Sequence, residues 1–119
     1  MRETVWKRNL NKQTKEIGTY KDSFAPIIAT LAKILEQRDS VYEKYIEEGA
    51  NPLVEYTNKN GSTNLTKNPL LVIWNDLNAS ALTYWRELGL TPAGLKKIDE
   101  SLMKPKKISA LAEALKELG

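Results

Sequence analysis

Side chains that commonly carry out nucleophilic, acid–base or metal chemistry are scarce in this 119-residue chain. It contains no cysteine and no histidine, which excludes thiol catalysis, the usual zinc sites and histidine general bases. The carboxylates of Asp76, Asp99 and Glu100 follow no spacing typical of a metal centre, and the chain has no Gly-x-x-x-x-Gly-Lys motif for nucleotide phosphates. We therefore predict a protein that is not an enzyme and has no metal or cofactor.

Lysine and arginine supply the chemistry that remains, because several cations on one surface bind phosphate groups and release their counterions. These residues concentrate in two terminal segments of the chain. The candidate phosphate-binding residues are Arg2, Lys7, Arg8, Lys12 and Lys15 in the first segment, and Lys96, Lys97, Lys104, Lys106 and Lys107 in the second. If the first segment is helical, its cations lie roughly on one side.

The distribution of charge is more informative than the formal net charge of +3. Residues 1–21 carry six basic and two acidic residues, residues 22–57 carry three and seven, and residues 58–119 carry nine and six. Two basic ends that flank an acidic middle are compatible with a polyanionic partner. Ordinary solvated helix faces are the alternative explanation, and charge alone favours that alternative.

One long helix is predicted near residues 69–88, and both of its ends are marked in the sequence. Asn68 is a typical N-cap, and Pro69 suits the first helical position, where a missing N–H costs nothing. Gly89 can take the left-handed conformation that ends a helix, and Thr91-Pro92 repeats the start signal. Apolar residues recur at alternating steps of four and three at Leu70, Trp74, Leu77, Ala81, Tyr84 and Leu88. Such a heptad stripe needs a partner to bury it.

A second long helix is predicted near residues 26–48. Asp22 or Ser23 offers an N-cap, and Gly49 is expected to end the helix. Its stripe also alternates steps of four and three, at Phe24, Ile28, Leu31, Leu35, Arg38, Tyr42 and Tyr45. Arg38 is the charged exception in this stripe. It either extends past the apolar layer to solvent or pairs with an acidic residue on a neighbour.

The segment between these two helices predicts a short β-hairpin near residues 53–66. Residues 53–57 and 62–66 flank Asn58-Lys59-Asn60-Gly61, and Asn-Gly between β-branched and aromatic residues is a strong hairpin signal. Because a lone two-stranded ribbon is marginal in water, this hairpin needs support from the helices or from another subunit.

Shorter helices are predicted at both ends of the chain. One spans residues 2–17, another runs from Pro92 to about Met103, and a third ends at Leu118 after a basic turn at residues 104–107. The third helix is amphipathic, so we expect it to dock on a partner or on the core rather than in a DNA groove. No apolar run approaches the length of a membrane span and no secretory signal is present, which predicts a soluble intracellular protein without membrane contact.

Together these elements predict a mainly α fold, with a long antiparallel helical hairpin, an inserted short β-hairpin and small helices at both ends. We divide the chain into a basic N-terminal segment at 1–21, a helical-hairpin core at 22–90 and a basic C-terminal segment at 91–119. Two helices cannot enclose a core alone, so the aromatic surplus indicates further helices or self-association; the alternative is that these rings fill the core of one chain. The candidate oligomer-interface residues are Leu31, Leu35, Arg38, Tyr42, Tyr45, Trp74, Tyr84 and Trp85.

Several of these motifs, taken in order, resemble those of bacteriophage terminase small subunits. They are Gly18-Thr19-Tyr20, Gly49 before the hairpin, Asn68-Pro69-Leu70 and Leu88-Gly89-Leu90-Thr91-Pro92. The resemblance extends from about Thr19 to Asp99, which is most of the chain. Each motif alone is weak, since Asn-Pro and Thr-Pro begin many helices, but their order and spacing together are more specific.

The chain departs from this family after Thr91-Pro92. Many relatives continue with small polar residues and an arginine, whereas this chain has Ala93-Gly94-Leu95-Lys96-Lys97. The positive charge is preserved, but lysine lacks the planar fork with which arginine binds two oxygens at once.

The resemblance implies a role in packaging a viral genome. Small terminase subunits bind double-stranded viral DNA near the start of packaging, assemble into a ring-shaped homo-oligomer and deliver the DNA to a large subunit that holds the ATPase and nuclease. On this basis the ten basic candidates become DNA-binding residues, and the protein is expected in the host cytoplasm as a phage or prophage product. The alternatives are a small helical DNA-binding regulator, expected as a dimer on a palindromic site, and an oligomeric adaptor that does not bind DNA.

Overall fold

The computed structural model describes residues 1–100 as a mainly helical chain with one two-stranded antiparallel sheet. Helix α1 spans Glu3–Ile17, a 3₁₀ turn spans Asp22–Phe24, α2 spans Ala25–Glu47, strands β1 and β2 span Leu53–Thr57 and Thr63–Lys67, and α3 spans Pro69–Glu87. Residues 92–100 are also helical. These elements confirm the predicted helices to within one residue at each described end. The predicted basic turn at 104–107 and the final helix lie outside the described residues.

The ends of α3 form as the sequence predicts. The Asn68 side chain accepts a hydrogen bond of 3.0 Å from the Leu70 backbone N–H, which satisfies one of the free amides of the first turn. At the other end Gly89 has a φ of 74°, a left-handed conformation that costs glycine little. The next helix begins in the same way, because the Gly94 N–H donates to the Thr91 hydroxyl at 3.0 Å.

The predicted N-cap of α2 at Asp22 or Ser23 is wrong. Both residues belong to the 3₁₀ turn that leads into the helix, and the cap position is held by Phe24, whose side chain makes no capping hydrogen bond. Pro26 in the first turn gives the physical reason. Its φ is already helical and it has no N–H, so one fewer amide needs an acceptor there.

The β-hairpin is also present, with its second strand one residue later than predicted. Strands β1 and β2 pair antiparallel, with Leu53 opposite Lys67 at the open end. The chain reverses between Asn58 and Ser62, where the Asn58 N–H donates to the Ser62 carbonyl at 2.9 Å and Gly61 has a φ of 81°. The Asn-Gly signal therefore marks the turn correctly, and glycine supplies its left-handed position.

The base of the hairpin is tied to the long helices. The Asn68 N–H donates to the Pro52 carbonyl at 2.8 Å, and the Asn68 side-chain amide donates to the Asn51 carbonyl at 2.9 Å. The Tyr45 hydroxyl donates to the Ala50 carbonyl at 2.9 Å. These bonds give the ribbon the support that a free two-stranded sheet lacks.

The core lies where three helices meet. Helices α2 and α3 are antiparallel, and α1 lies along α2, with its start beside Glu36 and Asp39 and its end at the loop that leads back to α2. The fully buried apolar side chains come from all three helices and from the turn after α3; they are Leu10, Ile28, Leu31, Ala32, Leu35, Ala81 and Leu88. Helix α1 thus closes the groove that two helices alone leave open.

Helix α1 covers only half of the groove between α2 and α3. Beyond Asp39 the stripe of α2 continues with Tyr42, which is 46% exposed, and Tyr45, which is buried; Ile46 beside this stripe is 51% exposed. Trp74 of α3 is half-buried beside them, with its ring centroid 6.0 Å from that of Tyr42. We call Tyr42, Ile46 and Trp74 the open seam.

Replacing Leu35 with Ala tests the position of this core. Leu35 is fully buried, so we expect the free energy of unfolding to fall by about 2–5 kcal/mol. Urea denaturation followed by tryptophan fluorescence measures the loss. Leu82, which is 44% exposed, provides the matched control, and Leu82→Ala should cost about 1 kcal/mol or less. Equal losses from the two substitutions would contradict the packing of α1 over Leu35.

Candidate nucleic-acid interface

One face of α1 is basic and exposed to solvent, with Lys15 Nζ 4.8 Å from the ring centroid of Tyr20. Arg8, Lys12 and Lys15 follow the helical spacing i, i+4, i+7, so they form a stripe about 10 Å long. At about 100° per residue this stripe lies opposite the buried Leu10 and Thr14. All five basic candidates of this segment are exposed: Arg2, Lys7, Arg8, Lys12 and Lys15. The helix therefore packs with one face and presents cations with the other.

The end of α1 and the second basic segment meet at the same end of the molecule. The Thr19 hydroxyl donates to the Leu88 carbonyl at 2.8 Å, which holds the end of the α1 segment against the end of α3. A Cβ on Gly89 would lie 3.0 Å from Thr19 Cγ2 and 2.9 Å from Ile98 Cδ1. Only a glycine allows the loop, α3 and the helix at 92–100 to pack this closely.

The second basic segment is only partly within the described residues. Lys96 and Lys97 are exposed on the helix at 92–100, at the end of the molecule where α1 finishes. Lys104, Lys106 and Lys107 lie outside the described residues. The structure thus brings cations from both ends of the chain to one end of the fold, although they are about 80 positions apart in sequence.

Four acidic residues of the middle segment lie at the other end of the fold. Glu43, Glu47, Glu48 and Glu55 are exposed in the last turns of α2, after its end and in β1. Helix α2 is about 34 Å long, so these carboxylates lie far from the basic end. These four carboxylates are therefore well separated from Lys15, Lys96 and Lys97, although Lys44, Lys59 and Lys67 are also exposed at the end where the carboxylates lie.

A polar cluster holds α1 in place against the two long helices. The Arg38 guanidinium carbon lies 5.8 Å from the ring centroid of Trp6 and 5.6 Å from that of Trp85, within the range of cation–π attraction. Its Nη1 donates to Asn78 Oδ1 at 3.0 Å, and its Nη2 donates to Asp39 Oδ1 at 3.3 Å. Arg38 Nε is buried and has no hydrogen-bond partner within residues 1–100.

Asp39 completes this cluster from the neighbouring position on α2. Its Oδ2 accepts a hydrogen bond of 2.7 Å from the Trp6 indole N–H and one of 3.2 Å from the Met1 amino group. One turn earlier, the Glu36 carboxylate accepts from the Glu3 backbone N–H at the start of α1. Two carboxylates of α2 thus hold the positive end of the α1 dipole.

Burial and hydrogen bonding act in opposite directions on the pKa of Asp39. Burial raises the pKa of this carboxyl, but the hydrogen bonds from Trp6, the chain amino group and Arg38, together with the charge of that amino group, outweigh it. The pKa of Asp39 is therefore lowered from its usual value of 3.8. The ionised form of Asp39 is the one that holds α1.

The sequence predicted part of this cluster and missed the rest. Arg38 does not extend to solvent; it is half-buried between helices, where it pairs with Asp39 of its own helix and with Asn78 of α3. Trp6 is anchored in the body by its indole N–H, which donates to Asp39. The roles of Asp39 and Asn78 were missed, although an acidic residue directly beside the one charged residue of an apolar stripe was a usable signal.

The predicted oligomer-interface residues differ in how much of them a second copy can contact. Leu31, Leu35 and Tyr45 are buried within one chain. Arg38, Tyr84 and Trp85 are half-buried under α1 or beside the core. Tyr42 and Trp74 belong to the open seam. The surface available to another subunit is therefore concentrated at the end of the molecule that α1 does not cover.

Comparison with known families identifies the group to which this fold and charge pattern belong. The family described as phage terminase, small subunit matches residues 3–105, which is most of the chain. The chain belongs to the phage terminase small-subunit family. No match was found among curated proteins or among solved structures.

The family assignment confirms the resemblance seen in the sequence. Terminase small subunits are generally non-catalytic, because the ATPase is the large subunit. In the described part of this small subunit, no three acidic side chains gather as a candidate metal site. Within residues 1–100 no helix combines the length and the apolar character needed to cross a membrane.

Substituting Asp39 with Asn tests the cluster that holds α1 of this small subunit. Because the pKa of Asp39 is lower in the folded than in the unfolded chain, its ionisation stabilises the fold at neutral pH, and this contribution is lost as the pH falls through the lowered pKa. We expect the wild type to be more stable than Asp39→Asn at pH 7 and the difference to shrink below about pH 4. Urea denaturation across this pH range measures both curves. A difference that is independent of pH would contradict the role assigned to the carboxylate.

Proposed function

We propose that this small subunit binds double-stranded viral DNA, assembles into a ring-shaped homo-oligomer and delivers the DNA to the large ATPase and nuclease subunit, without catalysing a reaction itself. In this proposal residues 1–21 and 91–119 contact DNA or the motor, and residues 22–90 form the oligomer, in the host cytoplasm. The observation that carries it is the exposed basic stripe of α1 in a chain of this family.

DNA binding is supported by the shape and charge of the basic end. Arg8, Lys12 and Lys15 project from the exposed face of α1, with Glu16 at its edge beside Lys12 and Lys15, and Lys96 and Lys97 are exposed at the same end of the fold. Contacts from such cations to phosphates are independent of base sequence. We propose that Lys104, Lys106 and Lys107 extend this surface.

Assembly is supported by two separate apolar surfaces. One is the open seam of Tyr42, Ile46 and Trp74. The other, which we call the hairpin patch, consists of Leu53, Leu65, Val72 and Ile73; these side chains surround one cavity between the hairpin and α3, and each is more than 40% exposed. A folded monomer rarely leaves two such surfaces in water without a partner.

The two surfaces face different sides of α3. Relative to Trp74, Ile73 lies about 100° and Val72 about 200° around the helix. An interface that joins the open seam of one copy to the hairpin patch of the next is head-to-tail, and repetition of such an interface closes into a ring or continues as a filament. A two-fold dimer would instead need one surface that fits itself. Two different apolar surfaces on one copy therefore favour a ring over the alternative of a dimeric DNA-binding regulator.

Reversing charge on α1 tests the DNA-binding surface. We expect the double variant Arg8→Glu, Lys12→Glu to bind a duplex more weakly, with a slope of log K against log salt smaller by about 2, since each lost phosphate contact removes about 0.9. Fluorescence anisotropy with a labelled duplex at several salt concentrations measures this. The matched control is Lys33→Glu, Lys44→Glu, which makes the same charge change at exposed positions of α2.

The comparison between the two variants separates site-specific binding from general attraction. Equal weakening by both pairs would show that only net charge matters, and no weakening by the α1 pair would remove α1 from the interface. A further variant, with Lys104, Lys106 and Lys107 all replaced by Glu, assigns the C-terminal segment in the same assay. Absence of DNA binding by the wild type at low salt would favour the alternative of an oligomeric adaptor that does not bind DNA.

Blocking each apolar surface tests the ring. We expect Ile46→Glu and Ile73→Glu, each alone, to lower the oligomeric mass, because a carboxylate would be buried in the interface. Mixed together, the two variants retain one complementary pair of surfaces and should form a one-to-one dimer. Light scattering coupled to gel filtration measures the masses. Leu82→Glu, at an exposed apolar position outside both surfaces, should leave the mass unchanged.

The mixing experiment distinguishes the two kinds of symmetry. A head-to-tail interface produces the mixed dimer, whereas a two-fold interface through one surface leaves one of the variants assembled as in the wild type. A wild-type protein that is monomeric at high concentration would contradict assembly altogether.

A further inference from the structure

A cavity of about 530 Å³ opens at the basic end of the molecule. It lies between the loop after α1, the last turns of α3 and the helix at 92–100. The apolar part of its wall comes from Phe24 and Ile98, which are half-buried, and from Thr19 and Thr83. This is room for one or two large side chains. The recess itself has no role in the functions proposed above, although Lys97 on its rim is also a candidate DNA-binding residue.

Close packing of two backbones determines the shape of the cavity. A Cβ on Gly94 would overlap the backbone carbonyl of Arg86, so the helix at 92–100 crosses the end of α3 in direct contact. Lys97 is one turn after Gly94 and lies on the same helix face. The Lys97 side chain is therefore directed to the region of Arg86, and both line the cavity.

The rim of the cavity is predominantly cationic. Lys21, Arg86 and Lys97 come from three different segments and face one carboxylate, Glu87. None of the three cations forms an ion pair within residues 1–100. Like charges gathered around an apolar wall repel one another, and a negatively charged occupant relieves that repulsion.

We propose that this cavity is a docking site for an acidic peptide segment of a partner protein. The segment inserts a bulky apolar side chain against Phe24 and Ile98, and carboxylates beside that side chain pair with Lys21, Arg86 and Lys97. An enclosed apolar anchor surrounded by charge-assisted hydrogen bonds is the arrangement that gives short segments their affinity.

DNA fits this cavity less well than it fits the α1 stripe. A duplex presents phosphates on a regular outer surface and no protruding apolar group that could fill the space beside Phe24. The exposed stripe of α1 supplies cations without a recess. The inference goes beyond the proposed function and does not depend on DNA binding.

A panel of labelled heptapeptides tests the proposal with the full-length protein. The central residue is Trp, Leu or Ser, and the flanking residues are all Glu, all Lys or all Ser. We expect binding only by the Glu-flanked peptides with Trp or Leu at the centre. The variant Lys21→Glu, Arg86→Glu should weaken that binding about tenfold or more and should favour the Lys-flanked peptides instead.

Two matched variants separate this site from the DNA-binding surface. Arg8→Glu, Lys12→Glu makes the same charge change outside the cavity and should leave peptide binding unchanged. Thr83→Trp, at an exposed position on the rim, fills the cavity without altering its charge and should abolish peptide binding. Circular dichroism confirms that each variant is folded.

Three results would overturn the proposal. The first is peptide binding that depends on the flanking charge but not on the central residue. The second is binding that survives Thr83→Trp. The third is a panel without any binder; if Lys21→Glu, Arg86→Glu also loses duplex binding, the cavity is a phosphate site instead. Failure of duplex binding by the wild type affects only the proposed function, because the peptide assay contains no DNA.

Discussion

The groove between α2 and α3 is apolar on both sides of Arg38, and two helices in contact cannot keep such a groove from water. Helix α1 covers one half of it, from Asp39 to the end of α3, and buries Leu35 and Leu10 there. The other half ends in the open seam. Burial of apolar area is the main stabilising term in a domain of this size, so the covered half holds the fold together and the uncovered half is available for assembly.

The charged cluster at the boundary between these halves determines how far along the groove α1 extends. Arg38 interrupts the apolar stripe of α2, and a buried cation requires partners. Trp6, Asp39 and Asn78 are the partners of Arg38. Because Asp39 also binds the start of α1, α1 is fixed at this position along the groove. Arg38, the one charged residue of the stripe, therefore sets the boundary between the covered half and the open seam.

Local signals in the sequence were sufficient for the elements and their ends. Asn68, Gly89 and the Asn-Gly turn act through hydrogen bonds and φ angles within a few residues of themselves, so their effects were predictable without the fold. The cap of α2 was predicted wrongly because Pro26 and the 3₁₀ turn offered a different local solution. The basic residues of α1 were predicted as candidates from type and spacing, and their exposure on one helix face agrees with the predicted helix.

The helices, the hairpin, the two apolar stripes and the excess of cations at both ends follow from local sequence, since each depends on neighbouring residues. The half of the groove that α1 covers and the cations that come together depend instead on how distant segments pack. Lys21 is far from Arg86 and Lys97 in the chain. The three meet because Gly94 lets the helix at 92–100 contact the backbone of α3 at Arg86, and because Gly89 leaves room for the side chains of Thr19 and Ile98. This close approach depends on the absence of side chains at two specific points, and which segments meet there depends on how all the helices pack.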